Sequence, residues 1–289
     1  MTTAREPESP SRQIRLLVGF GGERSPVHVL RDAFRFSLAL GAEAHVLRVV
    51  RPGAASELTP RRMVERARHE SRRLIAAARH ARVLCDRNLS ERLPGPQVAA
   101  RLGTFTEQVA LRASEIGADV IAVSPNRKQL VATVQRLARA TNRAIFVPRK
   151  GGSFATLLAA TDLEEPNTPL LERAAQLGAH LDATLVALHG VPSGEASAPV
   201  LEQRLLQLEH ATRRLGGHFE SIVLRTGDPG QEIVRQARRR KADVVLVGTR
   251  LRAPGAAALV LENATCSVLV EPLTERVAVE LPPAPAAGR

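Results

Sequence analysis

The chain contains no tryptophan and no tyrosine, and aromatic residues make up 2% of it. It therefore lacks the rings on which single-stranded nucleic acid is usually stacked. Only two cysteines occur, Cys85 and Cys266, and neither has a metal-ligating partner at short spacing. That isolation predicts two reduced, buried thiols rather than a disulfide or a metal site. No apolar run approaches the roughly 20 residues that span a bilayer. The opening MTTAREPESPSRQ is too polar for a secretory leader, so the expectation is a cytoplasmic protein with no membrane partner. Lysine is confined to Lys128, Lys150 and Lys241, which makes the net charge of +12 almost entirely arginine. We read this as a compositional arginine bias, and nucleic acid is not the expected partner.

What is present is globular: 289 residues, 44% hydrophobic and 24% charged, enough for two ordinary domains. The chain also repeats itself. GADVIAVS, from Gly117, returns as KADVVLVG from Lys241, and Asp119 and Asp243 stand 124 residues apart. Gly103 and Gly227, and Pro148 and Pro272, keep the same offset. Further upstream, IRLLVGFGG from Ile14 matches ATLLAATDL from Ala155 at an offset of about 141. The first copy therefore carries about 17 extra residues, which fall in the arginine-rich stretch PRRMVERARHESRRLIAAARHARVLCDRNL.

Short apolar runs alternate with segments of helical period in each copy. In the first, Ile14–Phe20, Ala44–Val50, Gln97–Leu102, Val120–Val123 and Ala144–Val147 read as strands. Val27–Leu40, Arg61–Asn88, Thr106–Ile116 and Leu130–Ala140 read as helices. Nearly continuous Val, Ile, Leu and Ala strands between helices imply parallel pairing with both sheet faces covered. The fold class is α/β, with two tandem doubly wound five-stranded parallel-sheet domains, residues 13–149 and 153–273. The segment VPRKGGSF serves as linker, and residues 1–12 and 274–289 are flexible tails.

Five features stand in order in the second copy: Asp162 after its first strand, His189 late in its second, Gly227-Asp228-Pro229 before a helix, Ala242-Asp243 before the fourth strand, and CSVLV from Cys266 as the fifth. Together they resemble the universal stress protein (Usp) family over residues 154–272, and residues 14–148 repeat the framework. The resemblance implies a flavodoxin-like architecture, related to the adenine nucleotide alpha hydrolases. It also implies that the two copies are similar to a family dimer joined in one chain.

Family members that bind ATP use the first-strand Asp, backbone at the end of the second strand, and a glycine-rich loop G-x-x-G-x9-G-[ST] after the fourth. Carried onto this chain, the candidate ligand residues are Asp162, Gly190, Val247, Gly248 and Arg250. Gly248 meets the first glycine of the loop, but Leu251, Leu261 and Glu262 stand where the rest of the pattern belongs. A hydrogen bond to a charged phosphate contributes about 1.5–3 kcal/mol, so losing two removes two to four decades of affinity. Arg250 and Arg252 can compensate in part as direct phosphate ligands. In the first copy the loop positions are Ser124, Arg127 and Leu137 and the Asp is Gly21, so no ATP site is expected there.

Asp162 suits either a ribose or base contact, or the capping and turn chemistry of the following segment. His189 has no nucleophile or carboxylate set beside it by the pattern, and a structural role is expected. GFGGER, from Gly19, follows a strand but ends on Arg24, so the dinucleotide fingerprint is not met. No resident cofactor and no metal are expected, with ATP or AMP the ligands left open. The expected function is a non-enzymatic stress-response or regulatory binding protein that binds adenine nucleotide weakly or not at all. The alternatives are an ATP-binding or slowly ATP-hydrolysing member of the family, and a basic protein associated with nucleic acid. The expected partners are another protein or a second copy of the chain, as a homodimer, beside the internal pairing of the two halves.

Overall fold

In the computed structural model, residues 13–21, 27–51, 60–85, 96–124, 127–149, 153–163, 169–216, 219–249 and 255–273 are described. The expected tails and most of the loop after the ninth strand, Arg250 and Arg252 included, lie outside them.

The first half runs β1 (Arg15–Gly21), α1 (Val27–Ala39), β2 (Glu43–Val50), α2 (Pro60–Val83), β3 (Gln97–Leu102), α3 (Phe105–Ile116), β4 (Val120–Val123), α4 (Leu130–Thr141) and β5 (Ala144–Val147). The second runs β6 (Thr156–Thr161), α5 (Pro169–Leu181), β7 (Thr184–Pro192), α6 (Ala198–Arg213), β8 (Phe219–Thr226), α7 (Pro229–Arg239), β9 (Val244–Thr249), α8 (Ala256–Asn263) and β10 (Ser267–Pro272). Part of the surplus of the first half is visible as helix length: α2 has 24 residues where α6 has 16. The described part of α2 ends at Val83, short of the expected Asn88, and residues 86–88 are outside the described chain.

Local chemistry explains the boundaries. Asp228 caps α7, its Oδ1 accepting from the Gln231 N–H at 3.0 Å, and Pro229 follows at a position that needs no donor. Helix α3 stops at Gly117, whose φ of 59° is left-handed and lets its N–H reach back to the last turn. The repeated aspartates do one job twice. Asp119 Oδ2 accepts the Arg15 N–H at 2.9 Å, and Asp243 Oδ2 accepts the Ala155 N–H at 2.8 Å. Each ties the start of a fourth strand to the start of the first strand of its own half.

All ten strands form one sheet in the order β3-β2-β1-β4-β5-β10-β9-β6-β7-β8. Neighbours are parallel except β5 and β10, which pair antiparallel with Val147 opposite Val268 and Ile145 opposite Val270. The two halves are therefore not separate sheets, as tandem domains alone would suggest, but share one continuous one. Successive strand residues face opposite sides. Leu16, Val18 and Phe20 of β1 enter one core with α1, α2 and α5, while Leu17 enters the other with α3, α4, α7 and α8. Each layer runs across the seam. Phe36 of α1 stacks on Phe146 of β5 with ring centroids 4.2 Å apart, and Phe154, just before β6, meets Phe36 edge-on at 5.5 Å. On the opposite face Arg149 donates from its side chain to the Leu261 carbonyl and from its backbone to Ser267 Oγ. Cys85 is buried and Cys266 half-buried, and both are free thiols.

Candidate functional site

Strand order reverses between β6 and β9, and beyond the carboxyl ends of these strands the sheet opens into a cleft of about 1130 Å³. An open parallel sheet is expected to hold its ligand at such a point. The floor is apolar, formed by Ala160, Leu188 and Val247. Asp162, Gly190, Val247 and Gly248, four of the five residues expected to contact ligand, come together around it, and Arg250 lies outside the described residues. The exposed carboxylate of Asp162 stands at the cleft margin.

His189 is buried on the same rim. Its Nδ1 lies 2.9 Å from the Thr161 carbonyl, which can only accept, so Nδ1 carries the proton and Nε2 is the acceptor of the ring. Burial lowers its pKa from the usual histidine value, with the charge of Arg204 adding to the effect, while the Thr161 bond and Asp162 oppose it. His45, buried on β2, is likewise lowered, chiefly by burial and against the pull of Glu43. Both imidazoles are thus held neutral by the fold, and unfolding frees them to take protons at their higher ordinary pKa. Their stabilising contribution is complete above about pH 6.5 and is lost as pH falls from there toward the folded values, at up to about 1.4 kcal/mol per group per pH unit. Urea unfolding should show a lower midpoint at pH 5 than at pH 7.5, with a shallower pH slope in His189→Gln. A variant as pH-sensitive as the parent would remove His189 from that slope.

Sequence reasoning missed the residues that set the character of the cleft. Glu232, in the first turn of α7, is buried and accepts from Gln236 Nε2 at 2.8 Å and from Arg235. Glu195 and Arg204 stand on the outer wall. The described lining thus presents three carboxylates, Asp162, Glu195 and Glu232, against the single guanidinium of Arg204.

Leu273 is the second missed residue. Its N–H is bonded to the Thr249 carbonyl at 3.0 Å, and its side chain lies over Gly248, where an added Cβ would collide with Leu273 Cδ1. The open space of this glycine, expected to admit a phosphate, is taken by a leucine. In the first half an aromatic ring lies at the end of β1. A Cβ on Gly21 would meet Phe105 Cδ2 at 2.8 Å, and Phe105 also packs beside Gly19. The sequence marks the position, since Phe105 stands 124 residues before Pro229 and breaks the small, polar Gly-Asp-Pro pattern with a large ring, but not the side chain's approach to Gly21. Among the described residues no group of His, Cys, Asp and Glu could hold a metal, and no helix is long and apolar enough to cross a membrane.

Residues 153–272 match the model of the universal stress protein family. Among curated proteins none matches the chain in sequence. A universal stress protein from Archaeoglobus fulgidus DSM 4304 shares the fold over 89% of this chain and 97% of its own, with 14% identity and a TM-score of 0.65. A functionally unknown protein from Pseudomonas aeruginosa PAO1 does so over 89% and 92%, with 16% identity and a TM-score of 0.53. A protein of the universal stress protein family from Arabidopsis thaliana, solved with AMP bound, overlaps 42% of this chain and 93% of its own at 20% identity, with a TM-score of 0.32.

Proposed function

Residues 153–272 belong to the universal stress protein family, and from that premise we propose that the chain is a cytoplasmic stress-response binding protein that works without turnover. Its cleft takes adenosine or AMP in preference to ATP. The observation that carries this reading is Leu273 on Gly248, at the edge of a cleft whose described residues supply more carboxylate than guanidinium. An adenine ring suits the apolar floor, and the Asp162 carboxylate suits ribose hydroxyls as an acceptor. A triphosphate would bring its charge toward Glu195 and Glu232 of the described lining. No turnover is assigned because the Nδ1–H of His189, the proton a general acid would supply, is committed to the Thr161 carbonyl.

Calorimetric titration with adenosine, AMP, cyclic AMP and ATP tests the proposal. AMP or adenosine should bind at least about tenfold tighter than ATP, and Asp162→Ala should weaken that binding about tenfold or more. Leu273→Gly, which uncovers Gly248, should narrow the gap between AMP and ATP. Heat from ATP alone, or from none of the four, sinks the reading.

A further inference from the structure

The arginine surplus is not spread evenly, and its densest part is α2, the helix that is longer than its second-half counterpart. Helix α2 is fixed to the sheet by Leu74, Ala78 and Ala81, which are buried, and by Glu70, whose carboxylate lies 3.4 Å from Arg48 of β2. On its opposite side Arg61, Arg68, Arg72 and Arg79 are exposed. At 100° per residue these four fall within about 40° of arc and form a stripe about 27 Å long. Arg61 reaches Glu65 at 3.5 Å, but Arg68, Arg72 and Arg79 have no carboxylate partner among the described residues.

Aliphatic side chains flank the stripe. Val64, Ile75 and Val83 are 49%, 38% and 64% exposed, and with Leu84 they make four of the six large exposed apolar residues of the described chain. Where the stripe passes the end of β3, a pocket of about 610 Å³ opens. Val64 and Leu102 supply apolar wall, Arg68, Arg72 and Arg101 supply charge, and Ser71 adds a hydroxyl.

We infer that this face of α2 docks an acidic segment of a partner protein, with an aliphatic side chain of that segment seated in the pocket and its carboxylates paired along the stripe. Arginine beside exposed aliphatic surface is the composition of a protein interface. A phosphodiester backbone would use the arginines and leave Val64 and Ile75 wet. A bilayer would need the apolar side chains in the middle of the exposed arc with cations at its sides, whereas here the arginines hold the middle. A second copy applied by the same face would set guanidinium against guanidinium.

Fluorescence anisotropy at near-physiological salt gives the test, with a labelled peptide of repeated Glu-Glu-Leu as probe. The comparison probes are poly-glutamate of equal length, single- and double-stranded DNA oligonucleotides, and phosphatidylserine vesicles. The Glu-Glu-Leu peptide should bind about tenfold tighter than each of the others. Arg68→Glu with Arg72→Glu should weaken it about tenfold or more, and Arg213→Glu with Arg214→Glu, an equal charge change at the C-terminal end of α6, should leave it within about twofold. Val64→Ser should reduce binding of the leucine-bearing peptide and not of poly-glutamate. The altered residues are exposed, and an unchanged melting temperature verifies the fold of each variant; Arg68→Gln with Arg72→Gln replaces the charge reversal if that pair fails to fold. Absence of saturable binding, equal loss in both arginine pairs, or tighter binding to DNA or vesicles overturns the inference.

Discussion

Arg173→Ala should lower stability by about 3–5 kcal/mol, the range seen when one partner of a buried ion pair is removed. Glu271 of β10 is fully buried, and Arg173 of α5 brings its Nε to 3.5 Å from Glu271 Oε2 while itself 9% exposed. Alanine would withdraw the guanidinium and leave a carboxylate in an interior that solvates it poorly. In a chain of this size the loss corresponds to a melting temperature lower by about 10 °C. The deficit comes from carboxylate desolvation that Arg173 no longer offsets rather than from the attraction itself, so Arg173→Met with Glu271→Met should recover most of it. Thermal unfolding of the three proteins decides the point. A single variant that melts within about 2 °C of the parent would show that Glu271 does not need its partner.

Phe146→Ala should act at the seam with similar force. The ring is fully buried, stacked on Phe36 and within 6.5 Å of Phe154, so its removal leaves a hole bounded by both halves of the chain. Truncating a buried phenylalanine costs about 3–5 kcal/mol, and a lost aromatic pair adds to that. Because the ring bridges the two halves, the variant should also lose cooperativity, with a broadened or two-step denaturant transition where the parent shows one. An unchanged midpoint with an unchanged slope would mean that the stack contributes nothing to the joining of the halves.

Most of the strand framework was legible in the residues, because buried parallel strands write themselves as apolar runs whatever their neighbours are. The expected Ile14–Phe20 differs from β1 by one residue at each end, and Val120–Val123 and Ala144–Val147 agree with β4 and β5. The repeat of Asp119 at Asp243 also carried its structural meaning intact, since both tie strands of their own half. The antiparallel pairing of β5 with β10 left no local mark. Two short, fully buried strands look alike whether their neighbour is parallel or antiparallel, and only the likeness to a joined dimer pointed toward it.

In the cleft, Asp162, Gly190, Val247 and Gly248 could be found because strand ends at the reversal of order are fixed by topology. Leu273 and Phe105 could not be found in the same way. Each acts on a glycine that is distant in sequence, and whether a side chain turns toward that glycine is a matter of packing. A glycine that survives in a motif register therefore says that something approaches closely, not that the visitor is a ligand.

The antiparallel seam also sets how the protein can count. Since β5 and β10 belong to one polypeptide, their pairing is unimolecular and does not loosen on dilution, as an association between separate chains would. The fifth strands are spent on each other, so further copies cannot add there. With Phe105 packed against Gly21 at the end of β1 and a cleft open beyond β6 and β9, saturation should come at one equivalent of nucleotide per chain. The isotherm should be hyperbolic and keep the same midpoint at every protein concentration below the dissociation constant.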